Sequence, residues 1–432
     1  MIEKTREISD VLNLTKSLPT IRYVKPKHVY IPTTSQRCQT SEVYVKVGDK
    51  VKIGTVLGKR FGGFFEQNMH ATVSGTVTGF VKKFHRSGKL LEFIEIENDC
   101  TDERDERIYE RSEEEIATYT REDFINAIKE NSCIGLSGSS FPTYIKFQTD
   151  KPIDVITVNG VECEPYLTTD HRIMLEMPEL VFGGIKYCLQ AFNAKKAVIC
   201  IKKKYNDVYE VLTAIKQKYP ELPVEIKRVG NYYPQGWEVE MIKSALGVKI
   251  QPKKELPMDH GIVNFNVSTI VSIYRAVKFN TPVIERNFTV TGDGVNYPSN
   301  LRIRIGTPLP ELIELCGGYK GEEDKVLILG GPMMGANLVR DDAICTNSCT
   351  SAIILNKKDV KEEPCIRCAS CVYSCPCGLQ PVLIMKAVKI KDVDALKKLR
   401  VNECIECGMC GYTCTSKINL TDYMRQGKKL VK

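Results

Sequence analysis

Hydrophobic and polar residues follow several different patterns along the chain, and the changes in pattern divide it into regions. From about Tyr23 to Glu97, short runs of alternating valine and isoleucine are separated by Gly-Asp and Ser-Gly turns, as in VYVKVGDKVKIGTVLGK and HATVSGTVTGF. This period-two pattern with glycine turns predicts β-hairpins. The preceding residues, 1–22, predict a short helical or loose leader.

From about Arg121 to Phe279 the pattern changes to amphipathic helical stretches that alternate with short apolar runs. Two of these runs, DVITVNG and KAVICIK, are rich in β-branched residues. The alternation predicts a parallel sheet with helices on its faces. The charged segment TDERDERIYERSEEE precedes this region and predicts a solvated linker or a helix start.

Strands return between about Pro282 and Val339, in VIERNFTVTG, LRIRIG and KVLILGG, with one helix at LPELIELCGG. This order predicts a small α+β module of roughly ubiquitin-like proportions. The remaining region, from about Asn356 onward, is dominated by cysteines.

Length and composition narrow the class of protein. A chain of 432 residues predicts two to four domains, and 43% apolar with 26% charged residues excludes a wholly disordered or fibrous protein. The net charge of +8 is scattered, so a solvated surface is a better interpretation than a nucleic-acid site. Docking onto an acidic protein partner or an anionic membrane surface is the weaker alternative. Without a long apolar run or a signal-like N-terminus, the sequence predicts a cytoplasmic protein with no membrane insertion.

The 18 cysteines indicate the chemistry, and half of them lie between Cys365 and Cys414. A secreted disulfide scaffold would be short, so metal binding is the better interpretation. The motif C-x2-C-x2-C-x3-C occurs twice, with the spacing of ferredoxins that hold two [4Fe–4S] clusters. Three closely spaced thiolates bind one cluster and the fourth reaches the other. The predicted ligand sets are Cys365, Cys368, Cys371 and Cys414 for one cluster, and Cys404, Cys407, Cys410 and Cys375 for the other.

Zinc is the competing interpretation, because zinc also binds C-x2-C pairs. Three cysteines at successive x2 spacing, repeated and with Pro376 after one fourth cysteine, favour iron–sulfur clusters. Cys377 is surplus to the motif and is predicted to be a small buried thiol. The function must therefore involve electron transfer.

Several long strings closely resemble the RnfC family, which supplies one subunit of the Rnf electron-transport complex. They cover most of the chain from about Tyr23 onward, and the double cysteine motif follows them in the expected order. The strings are GSSFPTYIKF, NGVECEPYLTTDHRIMLEMPE, YPQGWEVEMI, PVIERNFTVTGDGVNYPSNLRIRIGTPLPELIELCGG and LILGGPMMGA. The family is related to the flavin-binding subunit of respiratory complex I, which takes hydride from NADH on FMN.

The resemblance implies a multidomain α/β and α+β fold. Its expected parts are a leader (1–22), a barrel-sandwich hybrid (23–98), a Rossmann-like, complex-I-type flavin and NADH domain (99–280), a soluble-ligand-binding β-grasp module (281–345) and a ferredoxin domain with two [4Fe–4S] clusters (346–432). The barrel-sandwich domain is similar to lipoyl and biotinyl carriers. A carrier needs a lysine at a hairpin tip, and the expected tip, Asn68-Met69-His70-Ala71, has none. We therefore interpret this domain as structural.

A flavin site of this kind needs a glycine-rich turn between strand and helix, so that backbone N–H groups can approach phosphate. Family members usually read G-L-G-G-A-G-F-P-T, whereas this chain reads GLSGSSFPT from Gly135. The resemblance implies that Gly135, Gly138 and Ser140 bind FMN. Serine replaces glycine at positions 137 and 140. A Cβ there costs energy if φ is positive or if phosphate comes close, although a hydroxyl could donate to the phosphate instead.

Other expected contacts with FMN and NADH come from the resemblance alone. The residues concerned are Lys146, Asn159, Glu162, Asn266 and Thr269. Glu164 is the candidate catalytic residue, beside a ribose or amide of NADH, and its alternative role is a surface salt bridge.

Two further segments depart from the family. Ser35-Gln36-Arg37-Cys38 replaces Gln-His-Ile-Gly, and ICTNSC from Ile344 replaces a string of the Pro-Val-Thr-Lys type. Cys345 and Cys349 are interpreted either as a redox pair or as buried thiols. These departures indicate a divergent paralogue, similar to the electron transfer proteins associated with proline reductase in anaerobes.

Three functions remain open from the sequence. The first is an iron–sulfur protein that passes electrons from NADH, through FMN and two clusters, to a redox protein partner such as D-proline reductase. The second is the RnfC subunit of an ion-translocating Rnf complex, peripheral on the inner face of the cell membrane. The third is an adaptor without a working flavin site, which relays electrons but does not oxidise NADH.

Overall fold

The computed structural model describes residues 6–23 and 25–431. Residues 1–5 of the predicted leader lie outside this description. Within the leader, a single 3-10 turn at Leu12–Leu14 is followed by strand β1 (Thr20–Tyr23). This strand overlaps the last three leader residues, and it pairs with a strand of the β-grasp module that is nearly 300 residues away in sequence.

The barrel-sandwich domain consists of two antiparallel sheets, which confirms the hairpin prediction. Its strands are β2 (His28–Pro32), β3 (Thr40–Val43), β4 (Lys50–Val51), β5 (Val56–Gly62), β6 (Phe65–His70), β7 (Gly75–Phe84) and β8 (Leu90–Asn98). The sheet orders are β2-β8-β7-β4 and β3-β5-β6. Valine and isoleucine side chains such as Val29 and Ile94 fill the space between the sheets. The segment 68–71 is expected at a hairpin tip, but residues 68–70 complete β6 and all four residues are buried. The Asn68 side chain donates to the Glu130 carboxylate of the next domain.

The central domain is a four-stranded parallel sheet between helices, as the alternation of patterns predicts. Its strands are β9 (Val155–Gly160), β10 (Lys196–Lys202), β11 (Val224–Val229) and β12 (Ile262–Asn266), in the order β11-β10-β9-β12. Its helices are α1 (Glu113–Ala117), α2 (Arg121–Glu130), α3 (Tyr144–Phe147), α4 (Thr169–Glu176), α5 (Pro178–Phe192), α6 (Asn206–Lys216), α7 (Glu238–Leu246) and α8 (Val267–Phe279). Burial on both faces explains why β9 and β10 read as continuous apolar runs.

The β-grasp module contributes a six-stranded sheet in the order β1-β14-β13-β19-β16-β17. Its elements are β13 (Glu285–Thr291), β14 (Ser299–Arg304), β15 (Thr307–Pro308), α9 (Leu309–Leu315), β16 (Lys325–Leu329), β17 (Ala336–Leu338), β18 (Ile344–Cys345) and β19 (Ser351–Asn356). The helix falls on LPELIELCGG, as expected. Strand β19 pairs with β13 and β16 although it lies beyond the expected boundary at residue 345. The sheet therefore extends to residue 356.

The C-terminal region is helical and packs around its own small apolar core. Its helices are α10 (Ser370–Tyr373), α11 (Pro381–Lys389), α12 (Val393–Lys398), α13 (Met409–Tyr412) and α14 (Leu420–Val431). Leu379, Ile384, Leu396 and Met424 are buried between them, together with the cysteines Cys371 and Cys410. Each cysteine motif thus ends in a short helix that packs on this core.

A helix that crosses a membrane must be long and apolar. The longest helix of the described residues, α5, has 15 residues. In residues 6–23 and 25–431, no helix has the length and apolar character needed to cross a membrane.

Candidate flavin site and iron–sulfur centres

The predicted flavin contacts meet where the parallel strands β9 and β12 end. Asn159 and Asn266 are directly paired in the sheet register. The Asn266 side chain donates to the Asn159 carbonyl at 3.2 Å and caps α8 by accepting from the Ser268 N–H. The Asn159 side chain donates to the Gly236 carbonyl at 2.8 Å and so connects the loop after β9 with the segment before α7. Ligands of open α/β sheets bind at such carboxyl ends of strands.

The glycine-rich loop lies over the first turn of α8. Its Leu136 N–H donates to the Thr269 hydroxyl at 3.1 Å. Gly138 has φ +99° and Ser140 has φ +48°, so one of the two serine substitutions occupies the left-handed region that favours glycine. A Cβ at Gly135 would collide with the Ser139 side chain. The loop is therefore held close to α8 with its special backbone conformation at positions 138 and 140.

Ser140 also carries an unsatisfied polar atom. Its hydroxyl oxygen is buried and has no hydrogen-bond partner in the described part of the chain. Buried hydroxyls normally make at least one hydrogen bond, and an orphan in a native structure requires an explanation. A ligand oxygen at the loop would supply the missing partner.

Lys146 brings a cation to the same edge of the sheet. Its ammonium group donates to the Asn264 carbonyl at 2.5 Å and lies 5.2 Å from the centre of the Phe265 ring. Burial lowers the pKa of this ammonium, and the Glu238 carboxylate partly restores it. A desolvated cation without an ion pair in the described residues suits an anionic ligand such as the FMN phosphate.

Glu162 is a structural residue in this arrangement. Its two carboxylate oxygens accept from the N–H groups of Asp170 and His171, at 2.9 and 3.1 Å, in the first turn of α4. Burial raises the pKa of Glu162 to about 8, and the nearby Asp170 carboxylate adds to the increase. These contacts position α4, and the role of Glu162 as a cofactor contact stays a prediction.

Asp170 is a site residue that sequence reasoning missed. Its carboxylate accepts from the Asn266 side chain at 2.7 Å and from the Ser268 hydroxyl at 2.7 Å. It therefore fixes the capping residue of α8 and the first turn of that helix. The only signal in the sequence was an acidic residue in the first turn of a predicted helix, which is too common to single out.

Glu164 lies beneath a loop of the β-grasp module. Its Oε2 accepts from the Met333 N–H at 3.0 Å, and a Cβ at Gly331 would collide with its carboxylate. Its Oε1 is buried without a partner among the described residues. Burial raises the pKa of Glu164 to about 7, against the lowering effect of the Met333 amide. The alternative role as a surface salt bridge is wrong, because the carboxylate faces the interior and no cation pairs with it in residues 6–23 and 25–431.

We expect Glu164→Gln to change the pH dependence of stability. The folded-state pKa of about 7 exceeds the ordinary value of 4.5, so Glu164 favours folding below pH 4.5, and this contribution is lost as pH rises through 7. At about 1.4 kcal/mol per pKa unit, the rise from 4.5 to about 7 sets an upper limit of about 3.5 kcal/mol on the loss. Thermal midpoints should therefore fall less between pH 5 and pH 8 in Glu164→Gln than in the wild type. Parallel curves for the two proteins would contradict the raised pKa, and Glu179→Gln serves as an exposed control.

Four of the predicted cluster ligands surround one cavity. Cys375, Cys404, Cys407 and Cys410 line it, and the surplus Cys377 also reaches its wall. These thiols come from both motifs, in the combination that the ferredoxin spacing predicts. Cys407 and Cys410 are buried, so this set lies in the interior.

The second set lies nearer the surface. Cys365 and Cys368 are exposed, whereas Cys371 is buried. Burial raises the pKa of Cys371, and the neighbouring thiols of Cys368 and Cys414 raise it further. The structure thus brings Cys368, Cys371 and Cys414 together, and Cys365 precedes them on an exposed segment.

The arrangement of these thiols bears on the choice between zinc and clusters. A single zinc ion needs its ligands to converge on one point, with Zn–S distances of about 2.3 Å. Among the described residues, no three Cys, His, Asp or Glu side chains converge in this way. The cluster interpretation therefore rests on the cysteine spacing, with thiols from both motifs around one cavity.

The interior thiol set is packed against the flavin domain. Tyr233, Cys407 and Met409 form one buried apolar cluster, with Cys163 and Met333 at its edge. Cys163 lies between Glu162 and Glu164 in sequence. The interior cysteines therefore contact the same loop that carries the candidate catalytic residue.

The sequence allowed two interpretations of Cys345 and Cys349, and the structure shows the surroundings of both thiols. Cys345 and Cys349 are fully buried and free. Burial raises the pKa of Cys345 well above its ordinary range, and the neighbouring Cys349 thiol adds to the increase. The two thiols are buried and lie close enough to affect each other, so both interpretations, a redox pair and buried thiols, stay predictions.

Comparison with known proteins agrees with this architecture. Three family models match the chain: the RnfC barrel sandwich hybrid domain at residues 7–101, the Nuo51 FMN-binding domain at 128–275 and the SLBB domain at 287–337. The NAD+-reducing [NiFe]-hydrogenase in its H2-reduced state has a similar structure, with a TM-score of 0.52 over 73% of this chain and 63% of that chain. At 17% identity this likeness concerns the fold alone.

Curated relatives are more similar in sequence. The C subunit of the Na+-translocating ferredoxin:NAD+ oxidoreductase complex of Acetobacterium woodii is 34% identical, over 83% of this chain and 81% of its own length. The C subunit of the proton-translocating complex of Clostridium ljungdahlii is 33% identical, over 83% and 78%. The C subunit of the ion-translocating complex of Rhodobacter capsulatus is 31% identical, over 87% and 72%. With its three matched domains in this order, the chain belongs to the RnfC family, the C subunits of ion-translocating ferredoxin:NAD+ oxidoreductases.

Proposed function

We propose that this protein is an electron-transfer subunit that connects NAD(H), through FMN bound in the central domain and two [4Fe–4S] clusters, with a redox protein partner. The FMN would lie at the carboxyl ends of β9 and β12, with Lys146 and the glycine-rich loop at its phosphate. When bound, FMN exchanges a hydride with NAD(H) and single electrons with the clusters.

One observation carries this proposal. The interior cysteine set packs, through Tyr233 and Cys407, against the loop of the flavin domain that holds Glu164. The other set has Cys365 and Cys368 at the surface. Two clusters at these places would link a buried flavin with an external partner.

The direct test measures electron transfer from NADH under anaerobic conditions. FMN-loaded protein should oxidise NADH with ferricyanide as the acceptor, and the same protein stripped of FMN should not. Flavin should also be visible in the absorbance spectrum of the reconstituted protein. If FMN-saturated protein fails to oxidise NADH yet still relays electrons from a chemically reduced donor, the adaptor hypothesis replaces this proposal.

The identity of the redox protein partner is a second, more specific proposal. The serine substitutions in the glycine-rich loop and the additional Cys345 and Cys349 support a divergent role, with an amino-acid reductase such as D-proline reductase as the acceptor. The family relationship supports Rnf subunits instead. Purified protein should be offered each partner with NADH: proline reduction supports the reductase, and reduction of the Rnf subunits alone contradicts it.

The Ser140 hydroxyl gives a prediction about flavin affinity. If it donates to the FMN phosphate, Ser140→Ala should weaken FMN binding about five- to tenfold, since one hydrogen bond contributes about 1 kcal/mol. Ser140→Gly loses the same bond and should weaken FMN binding by a similar factor, whereas relief of about 1 kcal/mol of backbone strain at φ +48° should raise the thermal midpoint of the folded apoprotein. Fluorescence titration of apoprotein with FMN measures both values.

Ser137→Ala is the matched control for this pair. Ser137 is exposed and its φ is not positive, so we expect no change in affinity. Wild-type FMN affinity in both Ser140→Ala and Ser140→Gly, with a raised thermal midpoint in Ser140→Gly alone, would mean that the serine only strains the loop.

A further inference from the structure

The described part of the leader is fastened to the other domains by its own backbone. At its start, the Arg6 carbonyl accepts from the Tyr233 N–H of the central domain at 3.0 Å. Further along, the Thr15 carbonyl accepts from the side chain of Asn300, in β14 of the β-grasp module, at 2.7 Å. The leader therefore takes a fixed path across the surface between these two domains.

The start of the leader also reaches the C-terminal region that carries the cysteine motifs. The Ser9 N–H lies 3.3 Å from the hydroxyl of Tyr412 in α13 and donates to it. Ile8 packs against the buried apolar cluster that contains Tyr233 and Cys407. The leader thus lies where the central domain meets the interior thiol set.

Arg6 connects the central domain with one of the predicted cluster ligands. Its Nη2 donates to the Cys375 carbonyl at 3.3 Å, and its Nη1 lies 3.9 Å from the carboxylate of Glu240 in α7. Arg6 is 8% exposed. Cys375 lines the interior cavity together with Cys404, Cys407 and Cys410. A buried cation is therefore held against the backbone of a residue that would bind the interior cluster.

A second cation makes the same kind of contact at the surface. Lys253, between α7 and β12, donates to the carbonyl of Cys404 at 3.4 Å. Unlike Arg6, Lys253 is exposed. Water and salt screen an exposed charge far more than a buried one. The two cations thus differ mainly in burial, which makes Lys253 a natural control for Arg6.

The charge of Arg6 bears on how readily the interior cluster is reduced. An added electron makes a cluster more negative by one charge, so a nearby fixed cation stabilises the reduced form more than the oxidised form. Charge and hydrogen bonding around a cluster are among the factors that set its reduction potential. Glu240 opposes Arg6 only in part, since its carboxylate also accepts from the Tyr232 hydroxyl at 2.9 Å and lies 4.0 Å from the ammonium of Lys243.

We propose that Arg6 is a positioning residue for electron transfer, which fastens the Cys375 backbone to the central domain and makes the interior cluster easier to reduce through its buried charge. The inference rests on the proposed function, because it requires an iron–sulfur cluster in the interior cavity. A cluster that is easier to reduce is a better first acceptor for electrons from the flavin.

The test is an anaerobic redox titration of full-length, cluster-loaded protein, followed by electron paramagnetic resonance. Arg6→Gln keeps a donor for the Cys375 carbonyl but removes the charge. It should shift the reduction equilibrium of the interior cluster about tenfold toward the oxidised form, which is about 59 mV for a one-electron couple. Arg6→Lys keeps the charge and should remain close to the wild type. Lys253→Gln, the exposed control, should shift the equilibrium less than about twofold.

Glu240→Gln supplies a second test with the opposite sign. It removes the carboxylate that partly neutralises Arg6, so the interior cluster should become easier to reduce. This variant also decides the matter if Arg6→Gln does not retain the cluster. Titration in the Cys368→Ala background identifies the signal of the interior cluster, because the outer cluster is then missing.

Several results would overturn the proposal. One is an unchanged potential in both Arg6→Gln and Glu240→Gln, and another is an equal shift in Arg6→Gln and Lys253→Gln. A third is a shift in Arg6→Lys as large as that in Arg6→Gln, since the fastening alone would then matter.

Iron content, FMN content and NADH:ferricyanide activity are measured in parallel. Wild-type protein that binds neither clusters nor FMN contradicts the proposed function. Fully loaded and active protein whose interior potential does not respond to the charge at position 6 contradicts this inference alone.

Discussion

Replacing Cys407 by alanine is expected to lower the iron content from about eight to about four atoms per chain and to stop relay from FMN to an external acceptor. Two [4Fe–4S] clusters account for eight irons and eight sulfides. Cys407 belongs to the interior thiol set that contacts Tyr233 and the flavin domain. Without this cluster the outer cluster loses its connection with the flavin, so transfer should fall at least a hundredfold while NADH:ferricyanide activity remains.

The matched variant is Cys368→Ala, in the exposed set. It should also halve the iron content, but the interior cluster should still be reduced through the flavin, which electron paramagnetic resonance can follow. Cys377→Ala tests the assignment of Cys375, because both side chains reach the interior cavity. Full iron content in Cys377→Ala supports Cys375 as the fourth ligand. Stoichiometric zinc without labile sulfide in the wild type would end the cluster interpretation.

Replacing Lys146 by methionine is expected to weaken FMN binding about 10- to 100-fold. The ammonium group is desolvated beside the Phe265 ring and has a backbone carbonyl as its protein partner. A hydrogen bond to a charged group contributes about 1.5–3 kcal/mol, which corresponds to this loss. Methionine has a similar shape and removes a desolvated charge, so the folded protein should lose no stability.

Lys151→Met provides the control for this variant. Lys151 follows α3 in sequence, is exposed and forms an ion pair with Asp259. It is not one of the predicted flavin contacts. Flavin affinity should be unchanged in Lys151→Met, and the thermal midpoint of the Lys146→Met apoprotein should match the wild type. Wild-type flavin affinity in Lys146→Met would mean that the FMN phosphate does not lie at this ammonium.

Much of the fold could be predicted because its signals are local. The β-branched runs of β9 and β10, the hairpins of the barrel-sandwich domain and the helix at LPELIELCGG all occur where the patterns predict them. The cysteine ligand sets stay predictions from the C-x2-C-x2-C-x3-C spacing, although four of the predicted ligands do line one cavity. The family resemblance supplied the order of the domains, which local patterns could not.

The sequence by itself determined which residue types are present for electron transfer: two cysteine motifs, a glycine-rich loop and a lysine near it. The tertiary structure decided what several of them do. Glu162 positions α4, Glu164 lies under the β-grasp loop, and Ser140 has an unsatisfied hydroxyl. Arg22 and Arg302 also lie side by side only in the folded sheet. Long-range strand pairing and burial set these roles, because the partners lie up to about 280 residues apart and no local pattern records which of them meet.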